Sequence, residues 1–511
     1  MLSRRNVLKT ASSLGLVAAA GGIPTAAFAS AVPKTPSGDK WERLRKALTG
    51  DLIRPSHRDY QNAKMVYLGE YSVVNPQGVA YCRTVEDVRT CLRFAQDHGV
   101  EVRTRSGGHN LAGWSTGEGL VIDISAFRQV RAGGSTVHVG PGAKAIDTLA
   151  ALEPHNRQIV TGTCPTVCPG GFISGGGIGH QTRKYGTGSD RLVSARVMLA
   201  DGCLVHTSAT ERPELFWALR GGGGGNFGIV LDFEVRPIEQ PRGVFFDTSW
   251  PWDKAQEVIE AWQQWSVSGP HELGSALLVA LFDAAPGQVP TVMINGAFWG
   301  QQSALEDGLN AMASQAGTQP VGKDVKELSY GDVMRRVYGC GQLTTSQCHL
   351  VGQTPDAALP RNGVLRERTR IYERPVTGTV LADALASYDG DRQAGQTRFL
   401  SFTATGGKAN EAGRTETAYW HRGAQFMTGF AAMTPSASPP PEEEAAMVDW
   451  VDRGSQVIDP ASTGEAYVNF PDPRLADWRR AYYGDNYARL LRVKEAYDPN
   501  NVFHHGQSIG S

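Results

Sequence analysis

Two short stretches carry groups able to form covalent bonds. Ser106-Gly107-Gly108-His109 places an imidazole straight after two glycines, on tight backbone with little steric cover. An imidazole nitrogen so placed is a competent nucleophile toward an electrophilic ring. Gly162-Thr163-Cys164-Pro165-Thr166-Val167 puts a thiol in a glycine-rich loop, where nearby backbone donors would favour the thiolate. Taken alone, the tetrapeptide reads more simply as a histidine that caps a turn. The cysteine could instead pair with Cys168 in a local disulfide, or join Cys168 and His180 on zinc. No second pair of ligands follows at the usual zinc spacing, so no metal is expected.

Glycine clusters surround both stretches, at residues 107–108, 170–179 and 221–228. Glycine gives up side-chain contacts and adds chain entropy, so such runs make sense where backbone must lie against something flat or anionic. G-x-G-x-x-G can be read into residues 221–228, but any run of five glycines allows it. Here the run leads into the strand-like Ile229-Val230-Leu231, which removes the helix N-terminus that receives a pyrophosphate in dinucleotide folds. What remains is an anion nest of successive N–H groups. Three clusters so close together suggest one long, phosphate-bearing ligand lying across them all.

The elements that position these residues are short. Residues 41–53 have helical spacing, and residues 65–68, 79–82, 102–105 and 120–124 read as strands. Thr84 caps a helix with Glu86 and Asp87 in its first turn, running to about His98. A strand over 137–140 precedes a helix over 143–152. Residues 191–199 and 204–206 form a hairpin around Asp201-Gly202. With a helix over 214–219 and a strand over 231–235, this half reads as α+β without long βαβ units. Beyond Pro241 the pattern changes to broad antiparallel strands at 245–250, 276–282, 292–298, 398–405 and 426–431. Helices are expected at 255–265, 303–316, 442–458 and 474–498. That is the signature of a second domain built on an antiparallel sheet.

Composition sets bounds on function. The chain has 511 residues, 41% hydrophobic content and a formal charge of -1, which gives no basic excess for nucleic acid or an anionic membrane. Residues 1–29 read as a cleavable export signal. Arg4-Arg5 precedes an apolar run too short for a permanent anchor, and Ala27-Phe28-Ala29 supplies the cleavage site. Adjacent arginines point to the twin-arginine translocation machinery, which carries proteins already folded, and so to a periplasmic or extracellular location. Seven cysteines leave at least one unpaired or modified. Cys340 and Cys348 are spaced for a possible disulfide.

Several of these motifs, in order, resemble the berberine bridge enzyme-like flavoprotein oxidases of the PCMH-type superfamily. They are Arg105-Ser106-Gly107-Gly108-His109, Cys164-Pro165-Thr166-Val167, residues 170–179, Arg183-Lys184-Tyr185-Gly186 and residues 220–230. Tyr482-Tyr483-Gly484-Asp485-Asn486-Tyr487 and Asp498-Pro499-Asn500-Asn501-Val502-Phe503 carry the likeness to Ile509. The resemblance spans about residues 59–509, is strongest before Val235, and is faint in the middle. It implies an α+β, PCMH-type FAD-binding domain over 40–238, split by a substrate domain over 239–455 with a large antiparallel sheet, and resumed over 456–511.

By position, the resemblance makes His109 the residue bonded to the flavin 8α-methyl and Cys164 the one bonded to flavin C6, a bicovalent FAD that also accounts for the leftover cysteine. It further assigns to the cofactor Arg105, Ser106, Gly107, Gly108, Asn110, Thr166, Val167, Gly170, Gly171, Ser174, Gly175, Gly176, Gly177, Gly179, Gly228, Ile229, Val230, Tyr467 and Asn469. Cys168 stands where relatives usually have glycine. Val167 matches the position that admits O2, which favours an oxidase making H2O2. Ile178 replaces an aromatic common in sugar oxidases, which argues against a carbohydrate. Tyr467 matches the base of alcohol-oxidising members, although a core aromatic reads the same way. A phenol near its ordinary pKa of about 10 would have to be lowered by donors or cations to work near neutrality. The bridge-forming members use a glutamate on the sheet, but the aligned residues 426–430 have no carboxylate. His421-Arg422 matches a family pair of structural kind. The expected activity is hydride removal from a hydroxyl-bearing small molecule. The alternatives are a biosynthetic oxidase of phenols, alkaloids or polyketides, and an idle flavin-binding protein.

Overall fold

The computed structural model describes residues 38–511; the expected export signal lies outside the described residues. Among the described residues, sixteen strands fall into three sheets. In the first, β1 (Asp51–Ile53), β2 (Gly78–Tyr81), β3 (Val102–Arg105) and β4 (Leu120–Asp123) lie in the order β1-β2-β4-β3. β2, β4 and β3 are mutually parallel, with the helix Val85–His98 crossing from β2 to β3. The first half therefore does contain a βαβ crossover, contrary to the pattern read from sequence; four-residue strands gave no long apolar run to signal it. The crossover helix begins where expected. Thr84 accepts from the Asp87 N–H, and Asp87 returns the bond to the Thr84 N–H, closing a capping box.

In the second sheet, β5 (Val130–Ala132), β6 (Val137–Val139), β7 (Leu192–Met198), β8 (Leu204–Ser208) and β9 (Ile229–Val235) run in the order β5-β6-β9-β7-β8. The predicted hairpin is β7 with β8. The third sheet is larger and wholly antiparallel. It contains β10 (Arg242–Trp250), β11 (Leu273–Leu281), β12 (Thr291–Phe298), β13 (Gly322–Ser329), β14 (Val364–Tyr372), β15 (Thr397–Ala404) and β16 (Phe426–Thr434), in the order β13-β10-β12-β11-β15-β16-β14. This is the expected α+β architecture with a large antiparallel sheet.

Alternation along β15 explains the two faces of that sheet. Arg398, Leu400, Phe402 and Ala404 are buried, while Thr397, Phe399, Ser401 and Thr403 are half-buried. Leu400 and Phe402 pack into a core shared with the helices Ala255–Ser268 and Pro441–Ile458, where Trp262, Val451 and Met447 are fully covered. Burying a side chain of that size stabilises the fold by about 1.5–3 kcal/mol. The residues between them are left for the opposite face.

Local departures have local causes. Residues 65–67 are irregular rather than a strand, and residues 41–53 divide into the helix Gly38–Ala47 and the strand β1. The helix expected over 474–498 breaks at Gly484, whose φ of +48° leaves the helical range, giving Trp478–Tyr483 and Tyr487–Tyr497. Cys340 and Cys348 are disulfide-bonded.

The C-terminal segment clamps the glycine run. Lys494 Nζ donates to the Asn226 carbonyl at 2.8 Å and to Asp498 Oδ2 at 2.6 Å, and the Asn226 side chain accepts from the Ile509 N–H at 2.9 Å. Asp498 in turn receives the Val502 and Phe503 N–H groups. Lys494→Met should cost about 3–5 kcal/mol, because it leaves the Asp498 carboxylate buried without its cation. Chemical denaturation beside the unaltered chain measures that loss.

Candidate functional site

A cavity of about 480 Å³ lies between the glycine loops and the third sheet. Its floor is backbone from Gly107, Gly108, Gly170, Gly171 and Gly223 to Gly225; its roof is Leu278, Leu365, Glu367, Phe399, Ala431 and Met433. Arg103, Trp114, Phe503, His504 and His505 also line the cavity. Of the residues assigned from sequence, Arg105, Ser106, Gly107, Gly108, His109, Asn110, Cys164, Val167, Gly170, Gly171, Ser174, Gly228, Ile229, Val230, Tyr467 and Asn469 all line it. Residues as far apart in the chain as Arg105 and Asn469 are thus brought to one space.

His109 follows β3 through Gly108, whose φ of +70° is open to glycine at little cost. The Gly108 carbonyl accepts from the Tyr67 N–H at 2.9 Å, which sets the Tyr67 ring in a stack on the His109 ring, 4.3 Å between centroids. Desolvation, with Arg361 and Lys144 nearby, pulls the His109 pKa down to about 3, so its imidazole is neutral and keeps a nucleophilic lone pair. His109 Nε2 lies 2.8 Å from Thr166 Oγ1, which leaves Nδ1 as the nitrogen available to a ligand.

The same hydroxyl lies 3.8 Å from the sulfur of the half-buried Cys164. Thr166 does not line the cavity but sits fully buried behind its wall and touches both nucleophiles. Burial pushes the Cys164 thiol up, and donors from Thr166 and Val167 only partly oppose it. The thiolate favoured by the sequence reading is therefore outweighed by desolvation in the protein alone. Cys168 also lines the cavity, its sulfur hydrogen-bonded to the Gly142 carbonyl at 3.4 Å, and both cysteines are unpaired. Cys168 fills the space beside Gly107, where an added Cβ would meet its sulfur at 2.9 Å.

Gly175, Gly176, Gly177 and Gly179 do not line the cavity. They pack against protein: a Cβ on Gly175 would fall 2.1 Å from Asn469 Oδ1, and one on Gly179 would fall 1.9 Å from the Thr161 carbonyl oxygen. This is close approach of backbone to protein, which glycine also serves. The Ser174 carbonyl joins two clusters by accepting the N–H groups of Gly221 and Gly223 at 3.0 and 2.9 Å.

Tyr467 is 2% exposed, and its hydroxyl oxygen accepts from the Gly177 N–H at 2.8 Å and from Asn469 Nδ2 at 2.9 Å. Such donors stabilise a phenolate, yet burial outweighs them and pushes the Tyr467 pKa up to about 12. The lowering expected from sequence is not what the site does. His421 is engaged by Glu465 at 2.8 Å, and Arg422 pairs with Asp190 at 2.7 Å, so this pair braces the fold away from the cavity.

The sequence reading missed Glu367 and Tyr67. Glu367 lies on β14 in the stretch of faintest resemblance, and burial next to Asp472 pushes its pKa up to about 7. Its flanks, Arg366 and Arg368, mask it as one member of an alternating surface strand.

The wall chemistry fits a long flavin nucleotide. Side-chain-free backbone lines one face, two nucleophiles share one wall, and the run before Ile229 forms an N–H-rich turn. Residues 76–208 match a family model described as FAD binding domain, and residues 466–510 match one described as berberine and berberine like. An FAD-linked oxidoreductase of Bacillus subtilis (strain 168) is 28% identical, over 90% of this chain and 97% of its own. The glucooligosaccharide oxidase of Sarocladium strictum is 28% identical over 84% of this chain and 86% of its own. Among solved structures, Physcomitrella patens BBE-like 1 superposes with a TM-score of 0.81 at 22% identity, covering 92% of this chain and 98% of that one.

Asn469 offers a direct check of the Tyr467 environment. Gly175→Ala should displace Asn469, cost about 1–3 kcal/mol by overpacking and raise the Tyr467 pKa further by removing a donor. Calorimetric melting and ultraviolet titration of tyrosinate read the two effects separately.

Proposed function

The chain belongs to the berberine bridge enzyme-like FAD-linked oxidoreductases, and from that premise we propose that it oxidises a CH–OH carbon of a small molecule, with O2 as acceptor and FAD held by two covalent bonds. The observation that carries this reading is the Thr166 hydroxyl, 2.8 Å from His109 Nε2 and 3.8 Å from Cys164 Sγ, with both nucleophiles on the cavity wall. Bound FAD would supply the acceptor for a hydride and pass the electrons to O2, giving H2O2.

The chain's own residues have distinct tasks in this proposal. Neutral His109 presents Nδ1, and Cys164 presents sulfur from the neighbouring loop. Thr166 orients the imidazole through Nε2. Tyr467 takes the substrate hydroxyl proton on an oxygen already facing the Gly177 and Asn469 donors, which are placed to hold the phenolate. Val167, on the cavity wall, is small enough to leave room for O2 to reach the flavin. The glucooligosaccharide, xylooligosaccharide and chitooligosaccharide oxidases among the relatives support a substrate of carbohydrate type. The apolar roof of Leu278, Leu365, Phe399 and Met433 favours a second reading, a less polar natural-product alcohol. Export through the twin-arginine machinery completes the proposal, since that route allows cofactor uptake before translocation.

The test of attachment is direct. Acid-precipitated protein should stay yellow, with intact mass raised by one FAD. Cys164→Ala and His109→Ala should each leave a singly attached flavin, and the double variant should release it; a colourless precipitate from the unaltered chain would refute the assignment.

Tyr467→Phe should slow flavin reduction by about 10²–10⁴-fold and leave reoxidation by O2 unchanged. Because the active form is deprotonated and its pKa is pushed up to about 12, reduction in the unaltered chain should quicken as pH rises through the alkaline range. Stopped-flow absorbance across pH should show that slope, and lose it in the variant.

A further inference from the structure

The roof of the cavity is mostly apolar and carries one carboxylate. Among the residues that line the cavity, Glu367 is the single Asp or Glu, and it makes no hydrogen bond or salt bridge to any described residue. Its strand neighbours are all spent elsewhere: Arg366 pairs with Glu70 and Glu444, Arg368 with Asp452 and Asp472, and Arg370 with Asp459. Two cavity arginines are likewise engaged, Arg105 by Asp123 and Arg103 by Glu101. The carboxyl thus has no cation of the protein's own.

Its surroundings are shaped for a ligand. Glu367 stands directly opposite Ala431 across β14 and β16, and Ala431 stands opposite Phe399 across β16 and β15. The small Ala431 leaves room beside the carboxyl, and aromatic rings from Tyr67, Phe399 and Phe470 line the same space. Buried charges in proteins are normally paired, and aromatic faces attract organic cations. A sugar would need several donors and acceptors overhead. The one roof hydroxyl, Ser401 Oγ, instead donates to the Gly429 carbonyl at 3.3 Å.

We propose that Glu367 is the specificity-determining residue of the cavity and that the substrate is a hydroxyl-bearing organic amine, its ammonium paired with the Glu367 carboxylate and its apolar body against the sheet. This rests on the oxidase reading above and narrows it. The groups that face Glu367 are Asp472, from the loop after Tyr467, and Tyr67, from the segment before β2. The phenols of Tyr67 and Tyr467 are pushed up and the His109 imidazole is pulled down, so neither those phenols nor that imidazole changes charge near neutrality. Glu367, pushed up to about 7, gains its charge as pH rises through that value. His504, whose pKa is raised by its hydrogen bond to Glu101 at the β3 end, is unchanged in the Glu367 variants, which therefore control for it.

The test is isothermal titration of the flavin-loaded full chain with benzyltrimethylammonium and with benzyl alcohol, from about pH 5.5 to about pH 8.5. Affinity for the cation should rise about tenfold across that range, and Glu367→Gln should remove both the rise and about tenfold of affinity at the upper pH. Benzyl alcohol should bind alike throughout. Glu367→Asp, which keeps the charge, should restore the preference for the cation. Equal cation affinity in the unaltered chain and Glu367→Gln, or a preference for benzyl alcohol at the upper pH, would overturn the proposal. Turnover is not read, so an absence of peroxide would count against the oxidase reading alone.

Discussion

A glycine-rich wall cannot hold itself, and the structure is arranged around that constraint. Each glycine that frees the floor of side chains also removes the contacts that would fix the loop and adds chain entropy to be overcome. The fixing groups come from elsewhere. Lys494 and Ile509 reach from the C-terminal segment to Asn226, and the Ser174 carbonyl takes two N–H groups of the pentaglycine run. Asn469 fills the space that Gly175 vacates. After the third sheet the chain comes back to the glycine loops, and the braces it brings are long-range where the loop has none of its own.

Desolvation then decides the protonation state of nearly every group on the wall. It pulls His109 down to about 3 and pushes Tyr467 up to about 12 and Glu367 up to about 7. For His109 this suits nucleophilic attack, because the neutral ring is the reactive form. For Tyr467 it opposes basicity, and the Gly177 and Asn469 donors recover only part of the loss. The same dry cavity therefore favours one step and resists another. The donors around Tyr467 have their effect once a proton leaves, since they stabilise the charge that appears.

Much of the floor was legible in the sequence because its chemistry is backbone chemistry written in residue type. His109 after two glycines, Cys164 before proline and the glycine run before β9 all line the cavity, and Thr84 caps the helix it was expected to cap. What escaped detection depends on pairing between distant strands. The βαβ crossover was hidden by strands of four residues. β13 and β14 were missed because Lys323, Lys326, Arg366, Arg368 and Arg370 give them the composition of a solvated surface. Gly175, Gly176, Gly177 and Gly179 read as cofactor backbone, yet they approach protein; type alone cannot say which flat object a glycine faces.

The two faces of the cavity obey different rules, and that difference explains where the resemblance fades. The floor must fit one fixed, flat cofactor, so its residue types are narrowly constrained by sterics. The roof must only present a pleated sheet, whose other face is fixed by Leu400, Phe402 and their helix partners. Along a strand the alternate positions are independent of that core. Residues such as Phe399, Glu367 and Ala431 can therefore change character without unsettling the fold, provided a charge placed there can be satisfied by what binds. An unpaired carboxyl is costly in an empty apolar roof. Its retention there makes physical sense when the occupant supplies the missing partner.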